Sequence, residues 1–339
     1  MHHSPGLTTS LTAAWFPSGK GSRALAPKND GSDCNRRNEN LAEFSEQSGL
    51  HWFKGNLHSH TTLSDGTYSP DVLAGIYKDH DYDFLALTDH RLFAQARQEQ
   101  CEGLLLLPGV EVDINADTGD YCYHLLGFPN HDQAWNNLPE RWEQPAWQGI
   151  DSVQTVIDSL RDHDLSVVLC HPLWSKTTIE QVTPLEGFFA MEVYNHGCVI
   201  GEDNGVALEY WDAFLSGGRR IWAVAVDDGH HEYDTCGGWV MVQAAGCTVE
   251  NIMESLRGGS FYSTTGPTFS QFERDGRWVL VNSSPVDRYQ FVTEQGCFVH
   301  NCPSPTTQTR WSIPDGTSFV RAECYDGSGT AWTNPLFLD

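Results

Sequence analysis

The sequence predicts an α/β fold: a largely parallel sheet or barrel over residues 51–267, then a small antiparallel, β-sandwich-like module at 268–339. Three observations carry this. Short apolar runs alternate with amphipathic segments from His51 to Pro267, which is the rhythm of βαβ units. Polar, metal-competent residues terminate nearly every central run on its C-terminal side. After Gly266-Pro267 the helical period stops, and short alternating runs split by Gly, Pro, Asn and Asp take over.

The chain's 339 residues suffice for one large α/β domain, or for one with a small companion. Its 45 acidic and 20 basic residues give a formal charge of −25, which repels phosphate backbones and argues against a nucleic-acid polymer as partner. A small anionic substrate stays open, because bound cations dominate a local field. No run approaches 18 apolar residues, so no membrane-spanning helix is expected. Residues 1–50 read as an irregular leader without the apolar core of a secretory signal, and the expectation is a cytoplasmic protein. The ten cysteines include no CxxC pair and read as reduced thiols.

HWFKGNLHSH (51–60) is the first strand, and a side-chain period of two turns His58 and His60 to one face, where both rings can grip one ion. Ser69 and Pro70 open a helix as N-cap and N1. DFLALTDH (83–90) is a buried strand ending in Asp89-His90. A helical patch near 91–100 leads to LLLLPGVEVD (104–113), read as a strand ending in Glu111, and YCYHLLGF (121–128) alternates as a strand with His124. Residues 130–150 interrupt the rhythm with Trp135, Trp142 and Trp147. They read either as a loop packing its own aromatics or as a lid giving the pocket a flat apolar wall. A helix (151–164), the strand SVVLCHP with His171, and the strand GFFAMEVYN with Glu192 and Asn195 follow. A helix near 204–216 then leads to RRIWAVAVDDGHH, which ends in Asp228-x-His230. Strand, helix and strand close the first part over 237–267.

In a β/α barrel such strand ends converge on one mouth, where active sites lie. Singly, each histidine could be a satisfied core residue. Glu111 is different: it would be costly to bury unpaired, which favours a bridging metal ligand. Asp227 is an alternative to Asp228, but the D-x-H spacing favours Asp228 with His230. His196 stands between pocket and surface.

Taken in order, His58-x-His60, Ser64-Asp65-Gly66, Thr88-Asp89-His90, Gly109-Val110-Glu111, His124, His171-Pro172 and Asp228-x-His230 resemble the PHP (polymerase and histidinol phosphatase) metallohydrolase superfamily. Glu192-Val193-Tyr194-Asn195, Leu256-Arg257-Gly258-Gly259, Ser263-Thr264-Thr265-Gly266-Pro267 and Ala331-Trp332-Thr333-Asn334-Pro335 look like its CehA/McbA (carbaryl hydrolase-like) branch. The resemblance spans residues 51–339. It implies a distorted (β/α)7 barrel with two or three divalent ions of manganese, zinc or iron. His58, His60, Asp228 and a bridging Glu111 would hold one ion; Glu111, His124 and His171 a second; Asp65, His90 and His230 a third. Many relatives carry His at the position of Asp65, and an oxygen ligand shifts that site from zinc towards manganese or iron.

Two cations about 3.5–4 Å apart activate a shared water and clamp both ends of a displacement. No G-x-S-x-G supplies a serine nucleophile, so metal-bound hydroxide is expected, with Glu111, Asp65, Asp228 and His230 nearest the chemistry. Asp89, Glu192 and Asn195 are read as groups that hold ligand side chains in place. Arg91 and Lys176 follow ligand positions and could touch an anionic oxygen, solvated surface being their other reading. The expected function is a metal-dependent phosphoesterase acting on a small organic or nucleotide-like substrate. Hydrolysis of an aryl ester or carbamate is the alternative. A non-catalytic binding module is a third reading, opposed by the full set of ligands.

Overall fold

The computed structural model describes residues 42–45, 49–93, 101–131, 138–143 and 145–338. The chain enters through β1 (His51–Asn56), α1 (Pro70–Asp79), β2 (Phe84–Leu87) and β3 (Leu105–Pro108), with β1, β2 and β3 parallel. Pro70 starts α1 because its fixed φ suits the first helical position, where no donor is needed. The helix then buries Leu73, Ala74 and Tyr77 against Leu85 and Leu87 of β2.

The leucine-rich strand does not run straight through. It breaks at Gly109 and continues as β4 (Val110–Asn115), so that β3 pairs with β2 while β4 pairs with β5 (Cys122–Pro129). A Cβ at Gly109 would lie 2.8 Å from Thr88 Cγ2 and 3.0 Å from Phe128 Cε1, so the corner needs a residue without a side chain. Glu111 is therefore the second residue of a new strand rather than the end of the old one.

Next come α2 (Ile150–Asp162), β6 (Leu165–Leu169), α3 (Ile179–Val182), β7 (Phe188–Asn195), α4 (His196–Glu202), α5 (Leu208–Ser216) and β8 (Trp222–Val226). The strands β4 to β8 form one sheet in chain order, antiparallel from β4 to β6 and parallel from β6 to β8. Two isolated parallel bridges join this sheet to the first: Ser59 with Gly229 at the exits of β1 and β8, and His90 with Glu111. Counting the bent β3–β4 as one, seven strand positions thus follow one another in a circuit. The fold is mixed α/β, but the circuit is not the uniform strand–helix alternation the sequence suggested. Only residues 116–121 separate β4 from β5, too few for a parallel crossover, so they form a hairpin.

Strands of this kind are apolar on both faces, as sheets covered on both sides require. Val168, Ala190, Val224 and Val226 pack with Leu57, Phe84 and Leu107. Their neighbours Val167, Leu169, Met191 and Ala225 pack instead on Val153, Ile157 and Leu160 of α2 and Trp211 of α5.

β9 (Trp239–Ala244), α6 (Val249–Gly258) and β10 (Phe261–Thr264) return the chain to the first sheet, β9 lying antiparallel to β1. The C-terminal strands are antiparallel as expected: β11 (Phe269–Asp275), β12 (Trp278–Thr293), β13 (Gly296–Ser312), β14 (Phe319–Tyr325), β15 (Thr330–Thr333) and β16 (Leu336–Phe337). They extend the first sheet without a break, in the order β11-β12-β14-β15-β10-β9-β1-β2-β3. β12 is one long strand with its register shifted around Pro285. β13 was not legible because Pro303 and Pro305 argue against a strand; among the described residues it pairs only with β12, and an edge tolerates missing donors.

The terminal Asn334 has a structural task. Its Oδ1 accepts from Ala223 N at 3.0 Å while its Nδ2 donates to Phe261 O at 3.0 Å, tying β8 to β10. Ser263 reinforces this, accepting from Ala225 N and donating to Ala223 O. The end of the expected irregular leader is also built in: Phe44 bridges Phe272 and is buried against Trp52 and Tyr262. Of the helical patch expected near 91–100, Arg91–Phe93 are not helical and 94–100 lie outside the described residues. Each described cysteine is a free thiol. Among the described residues no helix is long and apolar enough to cross a membrane.

Candidate metal centre

Beyond Asn56 the chain stays extended, laddered to the exit of β8: His60 N donates to Gly229 O at 3.0 Å and Asp228 N to His58 O at 3.0 Å. The alternation of an extended chain then turns both rings the same way, and their Nε2 atoms lie 3.1 Å apart. Asp228 has φ +54°, a left-handed conformation that separates it from its neighbour. Asp228 faces the histidines. Asp227 faces away, accepting from Asn56 Nδ2, from the Tyr77 hydroxyl at 2.8 Å and from the amides of Cys236, Gly237 and Gly238.

Four ligand atoms meet here. Glu111 Oε2 lies 3.3 Å from His58 Nε2 and 3.1 Å from His60 Nε2, while Asp228 Oδ1 lies 3.2 Å and 3.1 Å from the same two nitrogens. An ion holding N and O ligands at about 2.0–2.2 Å in a tetrahedron sets edges of about 3.3–3.6 Å. The observed edges are close to that, so the donor set fits a divalent cation. Glu111 Oε2 supports the fit: it is buried and, among the described residues, accepts no hydrogen bond, although His90 Nδ1 also stands 3.1 Å away. A buried carboxylate oxygen without a donor is costly unless a cation meets it.

The remaining ring nitrogens are committed elsewhere. His58 Nδ1 donates to Glu192 Oε1 at 2.6 Å, and His230 Nδ1 donates to Asp228 O at 2.8 Å. His171 Nδ1 lies 3.1 Å from Ser175 Oγ. The carboxylate and carbonyl contacts of His58 and His230 fix the tautomer and leave Nε2 as the lone pair for a metal. Glu192 Oε2 in turn accepts from His171 N at 2.9 Å and Asn195 Nδ2 at 3.0 Å, and that amide also reaches Asp228 Oδ2 at 3.1 Å.

Glu111 spans two groups of ligands. Its Oε1 lies 2.7 Å from His124 Nδ1 and 3.4 Å from His171 Nε2, opposite the first quartet. Asp65, half exposed at the rim, stands 3.5 Å from His60 Nδ1, His90 Nε2 and His230 Nε2. His60 thus faces two groups, but a neutral imidazole has one lone pair. With Nε2 turned to the quartet, its Nδ1 is a donor towards Asp65 and Ser64. All nine residues carried by the resemblance meet in one basin, with buried Cys170 grouped beside His58, Glu111 and His171.

Burial penalises every charge here, yet the opposite charges outweigh it. Burial pushes Glu111 and Asp228 up, but His58 and its neighbours bring both well below the usual carboxylate range. Burial likewise pushes His60 down, and the carboxylates of Asp228 and Glu111 beside it reverse it to about 9. Asp65 is held far below its usual range by His230 and His90. Without cations, protons occupy the basin, and loading it means displacing them.

Beside the basin lies a cavity of about 420 Å³ lined by Leu63, Ser64, Asp65, His90, Arg91, Asp113, His124 and Arg141. A larger surface cavity of about 530 Å³, around Asp158, Arg161 and Arg257, lies away from the histidines. Arg91 lines the first; Lys176, exposed, does not. Among the described residues Asp89 hydrogen-bonds no histidine ring: it accepts from Thr61 N at 2.8 Å and Ser64 Oγ at 2.7 Å, pinning the turn between His60 and Asp65. Trp142 and Trp147 are not a lid. Trp142 is buried against His163, and Trp147 packs on Tyr121 and Tyr123, while Trp135 lies outside the described residues. The aromatic beside the ligands is Trp174, 4.9 Å from the His171 ring and 5.7 Å from that of His124. Its place three residues after His171 was the available signal. His196 packs against Gly237 and hydrogen-bonds Tyr194, outside the cavity lining.

No protein-family model and no curated protein matches the chain. Among solved structures, the chain is similar to a two-domain protein from Bacteroides vulgatus containing a predicted PHP-like metal-dependent phosphoesterase. The identity is 15% and the TM-score 0.47, covering 89% of this chain and 99% of that one. It is similar to PsfC from Pseudomonas syringae at 15% identity and TM-score 0.41, over 60% and 87% of the two chains. An amidohydrolase from Chromobacterium violaceum, solved with sulfate and no metal, matches at 15% identity and TM-score 0.36, over 52% and 87%.

Proposed function

We propose that the chain is a metal-dependent hydrolase of the PHP superfamily, of the CehA/McbA branch, cleaving phosphoesters of small organic or nucleotide-like molecules. The observation that supports it is the quartet of His58, His60, Glu111 and Asp228, drawn from the exits of β1 and β8 and the start of β4 to near-tetrahedral spacing. On this reading the seven-position circuit is a distorted (β/α)7 barrel over 51–267, with 268–339 as its β module.

Two or three divalent cations, when bound, would supply an activated water and positive charge for the departing oxygen. The protein's own share is placement. Glu192 holds His58 and the His171 backbone, and Asn195 holds Asp228. Asp65, His90 and His124 face the cavity where a substrate would lie. Ser64 also lines it, its hydroxyl donating to Asp89 at 2.7 Å. A cavity of about 420 Å³ suits a small molecule. Trp174, edge-on to His124 and His171, favours a second reading, hydrolysis of an aryl ester or carbamate.

Elemental analysis together with turnover of p-nitrophenyl phosphate, bis-p-nitrophenyl phosphate and an aryl carbamate tests both. Metal in the purified protein with chelator-sensitive phosphoester turnover is expected. Carbamate turnover alone would favour the second reading, and turnover of none by the loaded protein would sink the proposal.

A further inference from the structure

The identity of the substrate can be taken one step further, resting on the hydrolase reading above. Besides Asp65, His90 and His124, the cavity is lined by the two arginines Arg91 and Arg141. Main-chain bonds fasten their two segments together. Trp142 N donates to Arg91 O at 2.7 Å and Phe93 N to Glu140 O at 3.1 Å, with Leu92 and Arg141 forming a bridge. The segment carrying Arg141 is thereby fastened next to His90.

The two cations are not equivalent. Arg91 takes φ +58°, anchors its N on Glu111 O at 2.7 Å, and sets its Nε 3.5 Å from Asp113 Oδ1. Arg141 has no carboxylate at ion-pair distance among the described residues, although the chain holds 45 acidic residues against 20 basic. Nor, among the described residues, does it lie over an aromatic ring, as Arg219, Arg220, Arg277, Arg288, Arg310 and Arg321 do. A guanidinium fork matches a carboxylate or phosphate group through two parallel hydrogen bonds.

The geometry points to Arg141, with Arg91 beside it, as a subsite for a second, non-reacting anionic group on the substrate. The substrate class is then a small phosphoester that also carries a carboxylate or a further phosphate.

Calorimetric titration of the manganese-loaded protein with non-hydrolysable probes tests this: phenylphosphonate, 4-carboxyphenylphosphonate and 1,4-phenylenediphosphonate. At least one doubly substituted probe should bind about tenfold or more tighter than phenylphosphonate, as expected for a hydrogen-bonded charge pair. The preferred one identifies the second anion. Arg141→Met should bring the ratio close to one, and Arg141→Lys, which keeps the charge but not the fork, should retain part of it. Equal affinities in the parent protein, or a preference that survives Arg141→Met, would overturn the inference. So would an equal loss for all three probes, which would put Arg141 on the reacting phosphoryl group. Turnover of phenyl phosphate and 4-carboxyphenyl phosphate is read separately. Its absence alongside a preserved binding preference would sink the hydrolase reading and leave the subsite standing.

Discussion

Glu192 Oε1 lies 2.6 Å from His58 Nδ1, with both side chains fully withdrawn from solvent. The carboxylate fixes which nitrogen of His58 faces Glu111 and Asp228. Partners of this kind are worth about 10–100-fold in metal affinity. Glu192→Gln should therefore fold, as judged by circular dichroism, yet lose metal by about that factor in competition with a chromogenic chelator. Undiminished affinity would mean that the contact does not orient the ring.

Removing the cations should destabilise the protein. Ligands that bind only the folded state stabilise it by mass action, by about 2.7 kcal/mol at a hundredfold excess over Kd. Addition of EDTA should thus lower Tm for the parent protein. Glu111→Gln removes the charge that spans both ligand groups, and should erase most of that difference along with turnover. An EDTA-sensitive Tm of parent size in Glu111→Gln would put the cations elsewhere.

How much of this was legible depended on how local each cause was. The ligand positions could be read because strand exits present polar residues at a break in an apolar run, as with Asp89-His90 and Asp228-x-His230. The choice of Asp228 over Asp227 came from spacing alone; a left-handed backbone at Asp228 and five donors around Asp227 account for it. The tryptophans were left between two readings because composition marks an aromatic segment without saying which way its rings turn. Trp142 and Trp147 turn inward, while Trp174 stands at the ligands. The antiparallel pairing of β4 with β5 was obscured because an apolar run has the same texture in either direction.

The corner at Gly109 should be intolerant of a side chain. A methyl group there meets Thr88 Cγ2 and the Phe128 ring at 2.8 and 3.0 Å, in a packed interior with little room to yield. Overpacking of this sort costs about 1–3 kcal/mol. Gly109→Ala should lower the urea midpoint accordingly and, by displacing Glu111 two residues on, weaken metal binding as well. A variant with parent midpoint and parent metal content would show that the bend tolerates a side chain.

His196 should make stability depend on pH from outside the metal basin. Burial lowers its pKa, offset in part by Asp234, and its ring packs on Gly237 with Nδ1 3.0 Å from the Tyr194 hydroxyl. In the unfolded chain the imidazole titrates near 6.5. Below that pH the unfolded state binds more protons than the folded one, so this group's contribution falls as the pH drops through 6.5 towards the lower folded value. Above 6.5 both states are neutral and the contribution is flat. His58, His60, His124 and His230 titrate in the opposite sense, so the measurement has to be a difference between two proteins. Urea unfolding of cation-free parent and His196→Gln at pH 7.5 and 5.5 provides it. The stability of the parent relative to the variant should shrink on going to pH 5.5, because only the parent must bury a group that acid would charge. A difference that stays constant, or grows in acid, would mean that His196 is protonated in place and that its packing does not hold it neutral.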